Sequence, residues 1–230
     1  LPRKVLGADT PGAYRQVHER RFTNVCEPWF NNGVARPRST TDEQLIRAAS
    51  AALAELGPRR LALAEIARRA GVVPATLVQR FGSKHGLLVA MSRASADEVR
   101  TTMRDAAKDA GDPVEAVRAA ATSPYRALDN PDTAAHNLAA LGTDLQDPEL
   151  RQLLGEVYGR VSTELRRLVG AAVDAGELPG APAPEVAGSV LAALVNGSAL
   201  HWSMRPEGSL VHRLLADVDA VLDGWRRPPG

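Results

Sequence analysis

Between residues 59 and 84 the chain gathers groups suited to a polyanion. Arg59-Arg60 and Arg68-Arg69 are adjacent pairs, and Arg80 and Lys84 follow. Cations so placed can neutralise phosphates. Thr76 and Gln79 lie among them, and a glutamine amide can pair with an adenine edge through two hydrogen bonds. Other reactive chemistry is sparse. His18, His85, His136, His201 and His212 show no metal-ligand spacing, and the chain has no Gly-rich phosphate loop, nucleophile elbow or His-Glu-x-x-His run. Asp144, Asp147 and Glu149 stand at a helix boundary, where capping and the helix dipole account for them. Cys26 is the single cysteine, which rules out an internal disulfide and disfavours a thiolate metal site. No catalytic residue, metal site or cofactor is expected.

The chain has 230 residues, 44% apolar and 24% charged, enough to build an ordinary core. The net charge of +1 conceals an asymmetry. Residues 1–93 carry 15 Lys and Arg against 7 Asp and Glu, and the remainder carries 13 against 20. A basic front can meet a polyanion that an acidic back repels. The longest uncharged apolar stretch, 186–204, contains Asn196, His201 and several serines, which suits a membrane poorly. With no apolar leader at the N-terminus, a soluble cytoplasmic protein without a membrane partner is expected.

These groups need helices to position them. After Ser39 helix formers dominate, and apolar residues recur at spacings of three and four. An all-α fold is expected. Leu45, Ala49, Leu53 and Leu56 line a first helix, capped by Thr40 or Thr41 and stopped by Gly57-Pro58. Leu63, Ile66, Ala67 and Ala70 line a short second helix closed by Gly71. Pro74 opens a third, with Leu77 and Phe81 inward. Ser83 caps a long fourth helix to about residue 107. Further helices open at Asp112-Pro113, Ser123-Pro124, Asn130-Pro131 and Asp147-Pro148, then span 185–204 and 209–225.

Two helices of about eight residues joined at Gly71-Val72-Val73 have the size of a helix-turn-helix, whose second helix can lie in a major groove. The pattern alone also fits a small orthogonal core with solvated arginines.

The residues carry more. The run Leu63-Ala64-Glu65-Ile66-Ala67-Arg68-Arg69-Ala70-Gly71-Val72, then Ala75-Thr76-Leu77, Phe81-Gly82-Ser83-Lys84 and Leu87-Leu88, resembles the DNA-binding domain of TetR-family transcriptional regulators. The likeness spans 45–88 without a gap. It implies an N-terminal three-helix helix-turn-helix domain over 39–88 and a C-terminal helical ligand-binding and dimerisation domain over 89–227. It implies a ligand-responsive repressor that binds a palindromic, double-stranded DNA operator as a homodimer and answers to a small-molecule effector. The alternative is a helical ligand-sensing or protein-interaction dimer that has lost specific DNA binding. Two departures from the family pattern motivate it, Val73 in place of a polar residue and Val78 in place of a phosphate-binding Tyr; Ala62, in place of a capping Thr, is a third departure. Under the first reading Gln79 reads bases, and Thr76 meets a phosphate or a thymine methyl. Pro74 and Ala75 approach base edges, Arg80 supplies the phosphate contact missing at Val78, and Lys84 holds another phosphate.

In the C-terminal part, Met103, Tyr125, His136, Asn137, Tyr158 and Trp202 are candidate pocket residues, being amphipathic or adaptable. Val190, Leu194 and Gly197, with Leu214, Val218 and Val221, are candidates for a four-helix interface between two copies. Residues 1–38 hold four of the nine aromatics and show no helical period. They are expected to be an irregular extension, with translation starting near Val34, or else a flexible basic arm using Arg36 and Arg38 on DNA.

Overall fold

The structure, a computed structural model, describes residues 40–228. The expected extension over 1–38, with Arg36 and Arg38, lies outside the described residues. Within them the fold is all helical: α1 (Asp42–Leu56), α2 (Leu63–Ala70), α3 (Pro74–Phe81), α4 (Lys84–Lys108), α5 (Pro113–Thr122), α6 (Pro131–Asp144), α7 (Pro148–Asp174), α8 (Pro184–Met204) and α9 (Leu210–Trp225). Ser123–Leu128, expected to open a helix of its own, is a six-residue 3-10 segment instead. Asn130-Pro131 begins the next helix too soon for it to lengthen.

Local chemistry sets most of the ends. Thr41 and Gln44 form a capping box, each side chain accepting from the other's backbone N–H at 3.3 and 3.0 Å. Ser83, Asp112, Asn130, Asp147 and Ser209 cap α4, α5, α6, α7 and α9 by the same acceptor chemistry. Ala62 and Val73 make no side-chain cap for α2 and α3. At Val73 the loss is softened because Pro74 has no N–H to leave unpaired. Gly71 ends α2 in the left-handed conformation at φ 67°, which turns the chain sharply into α3.

Two main apolar cores and a small third cluster, Val89 with Leu150 and Leu153, form among the described residues. Leu45, Ala49, Ala52, Leu61, Ile66, Ala67, Leu77, Leu87 and Met91 unite α1, α2, α3 and the start of α4. The larger core joins the rest of α4 to α5, α7, α8 and α9 around residues such as Met103, Leu165, Leu191 and Leu214. α4 is continuous through the expected boundary at 88 and contributes to both. α7 and α8 approach closely, because a Cβ on Gly188 would sit 2.8 Å from the Arg166 nitrogen. Buried Glu164 of α7 ties this core to α4, accepting from Arg104 at 3.2 Å and from Arg167 at 2.6 Å.

Candidate nucleic-acid interface

α3 is eight residues long, and its orientation follows from which of them are greasy. Leu77 is fully buried and Phe81 half-buried in the three-helix core. Ala75 and Gln79 therefore lie on the opposite side, exposed, while Pro74, at the open start of the helix, and Val78, on its flank, are exposed as well. Thr76 is half-buried at the edge. Val73 and Val78 are 63% and 45% exposed, unusual for valines beside a well-packed core. Exposed valine methyls of this kind are suited to contact with thymine methyls. Being apolar, neither valine carries a polar signal in the sequence.

The cations divide into two groups. Arg68 and Arg69 both reach Glu65, at 2.7 Å each, and Arg69 also reaches Glu55 of α1 at 2.7 Å. These hydrogen bonds hold the Glu65 carboxyl down to about 2. Arg68 and Arg69 thus fasten α2 to itself and to α1, and their charge is already balanced. Arg80, expected to meet a phosphate, donates to the Thr40 carbonyl at 2.9 Å and lies 3.2 Å from Asp42. It closes the end of α3 onto the start of α1. Arg59 and Arg60, in the turn after α1, are exposed and have no ion-pair partner among the described residues. Lys84 stands at the N-terminus of α4, where backbone N–H groups and the helix dipole favour an anion beside its ammonium.

A cavity of about 380 Å³ lies behind this unit, walled by α1, α4, α6, α7 and α8. Leu53, Met91, Val157 and Val161 give it an apolar lining, and Tyr125, Asn137, Asp144 and Tyr158 a polar one. Tyr125 donates to Asn196 Oδ1 at 2.7 Å, and burial raises both tyrosine hydroxyls above the usual phenol range. Both therefore stay protonated at neutral pH. Burial and the nearby Asp147 charge also raise the Asp144 carboxyl. Of the expected pocket residues, Tyr125, Asn137 and Tyr158 line the cavity. Met103 is buried in the larger core. Trp202 is buried too and donates to the Glu207 carbonyl at 3.3 Å. His136 faces α1. Asn196, Asp144 and Ser50 also line the cavity but had no local sequence signal. Asn196 meets Tyr125 across 71 residues.

On α8, Val186, Val190, Leu200 and Met204 are exposed with Gly197, leaving an apolar outer face. Leu194 and Val221 pack half-buried against the larger core. Leu214 and Val218 are fully buried within the chain, so they present nothing to a second copy.

The chain is similar to known proteins over both of its parts. Residues 45–91 match the model described as bacterial regulatory proteins, tetR family. Residues 124–226 match the model for the C-terminal part of BetI-type transcriptional repressors. Together the two take in well over half of the chain. The HTH-type transcriptional regulator BetI of Rhizobium meliloti (strain 1021) is 36% identical over 117 residues, covering 50% of this chain and 57% of that protein. The matched region is thus little more than half the length of that curated relative. A transcriptional regulator from Rhodococcus sp. Rha1 shares the fold at a TM-score of 0.65 and 24% identity, over 83% of this chain and all of that one. So does FadR of Bacillus subtilis, solved with stearoyl-CoA, at a TM-score of 0.63 and 20% identity, over 80% of this chain and 99% of that one.

Proposed function

The chain belongs to the tetR family of bacterial regulatory proteins, and on that premise we propose that it regulates transcription as a homodimeric, effector-responsive repressor. One observation carries this reading. Leu77 anchors α3 from behind, so that Ala75 and Gln79 project outward, with Pro74 and Val78 exposed on the flank; Lys84 follows, half-buried at the start of the next helix, where it also reaches the cavity wall. That is the arrangement a major-groove reader needs. Gln79 discriminates bases, Val78 and Ala75 contact thymine methyls, and Lys84, Arg59 and Arg60 hold phosphates. Arg80 positions α3 rather than neutralising a phosphate. The outer face of α8, with Val190 and Gly197, pairs with its copy to set the spacing of two recognition helices. The cavity between the DNA-reading unit and the remaining helices receives a small molecule. Its walls belong to both parts, so occupancy bears on DNA affinity.

DNA fragments that co-purify with the protein supply an operator for titration. Gln79→Ala should weaken operator binding by about tenfold or more, as expected for a lost bidentate base contact, and leave random DNA unaffected. Lys84→Ala should weaken both kinds of DNA and reduce the slope of log affinity against log salt by about one. Unchanged binding in both variants would overturn the assignment.

A further inference from the structure

The end of α1 has an unusual termination. Ala54 lies in the last turn, where carbonyls lack intrahelical donors. Four residues on stands Pro58, which has no N–H to offer. The carbonyl is satisfied from another part of the chain: His136 of α6 places Nδ1 2.8 Å from it. A carbonyl only accepts, so Nδ1 carries the hydrogen and donates. Gly57 makes room for the ring. It is buried with φ +73°, and a Cβ there would come within 2.7 Å of His136 Cδ2. Proline, glycine and histidine thus form one joint between the DNA-reading unit and α6. The cavity opens beside it, with Ser50, Leu53 and Pro58 on one side and Asn137, Ala140 and Leu141 on the other.

We propose that His136 is a positioning residue for operator binding: it clasps α1 to α6 and so fixes where α2 and α3 stand relative to the effector-binding helices. The inference deepens the regulatory reading above and rests on it. Separating α6 from α1 at the adjacent cavity breaks this clasp and leaves the Ala54 carbonyl unpaired, because no other hydrogen bond among those described reaches it.

His136→Leu and His136→Gln of the full chain separate the clasp from simple packing. Leucine fills the space and donates nothing, whereas glutamine keeps an N–H. In the leucine variant, amide exchange should accelerate together over residues 54–61 and 131–141, with α2 and α3 as protected as before. Operator affinity should fall about tenfold, the scale of one lost part-buried hydrogen bond. The salt slope should not change, since every phosphate contact remains. Glutamine should restore most of both effects. If leucine prevents folding, a folded glutamine variant with normal exchange and affinity supports the clasp, and a glutamine variant impaired in either overturns it. Leucine and glutamine behaving alike overturns it too. So does faster exchange in the leucine variant with undiminished affinity, which would make His136 a structural cap only. Should the wild-type protein bind no DNA, the regulatory reading fails, and the exchange pattern still decides whether the clasp exists.

Discussion

Valine at position 86 should lower operator binding to the level of random DNA, a loss of about a thousandfold or more. Gly86 lies in the first turn of α4, and a Cβ there would fall on the Phe81 carbonyl oxygen, with the Phe81 carbonyl carbon 3.2 Å away. Phe81 is the last residue of α3. Backbone cannot rotate aside as a side chain does, so the end of α3 must move. Leu77 and Phe81 hold α3 in a close-packed core, and the displacement tilts its outward face. The base contacts proposed for Gln79 and Val78 should then be lost. The phosphate contacts proposed for Arg59, Arg60 and Lys84 remain, which is why random-sequence affinity should persist. Titrations with operator and scrambled duplexes check this. Retained discrimination between the two would show that α3 does not read sequence.

Lysine in place of Glu164 should destabilise the fold by about 3–5 kcal/mol, the cost of leaving a buried charge unpaired. The residue is 2% exposed and lies between two guanidiniums. Lysine would bury a third cation there. Against a usual total of about 5–15 kcal/mol, the loss should appear as a melting point lower by about 10 °C for a chain of this size. Leucine should cost far less, because the flanking Arg104 and Arg167 are half-exposed and can turn to water. The wild-type protein should show the same interaction on acidification. Burial pushes the Glu164 carboxyl up, but hydrogen bonds from Arg167 and Arg104 outweigh it, and the net shift is downward from 4.5. Its contribution is therefore fully present above pH 4.5 and lost as the pH falls through the lower native value. Thermal melts of wild type and Glu164→Leu should converge in that acid range.

Helix limits were legible because this chain marks them with short-range chemistry. Thr41, Ser83, Asp112 and Asp147 start helices with their own side chains, and Gly57, Gly71 and Gly82 stop them. The inward placement of Leu77 and Phe81, and hence the outward placement of Gln79, follows from helical period alone. What escaped depended on distant partners. Arg69 looks like a phosphate ligand until Glu55, 14 residues earlier on another helix, is seen to hold it. Arg80 is bound 40 residues away by the Thr40 carbonyl. In α9 the apolar stripe is wide, and only the packing of neighbouring helices turns Leu214 and Val218 inward. His136 reads as a pocket residue because its spacing cannot reveal the orphaned carbonyl it meets 82 positions upstream.

The chain holds three methionines, and the fold sends each to a different environment. Met91 lines the cavity, Met103 is sealed in the larger core, and Met204 is 68% exposed on the outer face of α8. Isotope-labelled methyl groups at these positions would give three well-separated resonances from the unaltered protein. One would respond to small molecules, one to self-association, and the third would serve as an internal standard of integrity. The molecule thus carries built-in reporters for the two events, effector binding and pairing, through which it is proposed to act.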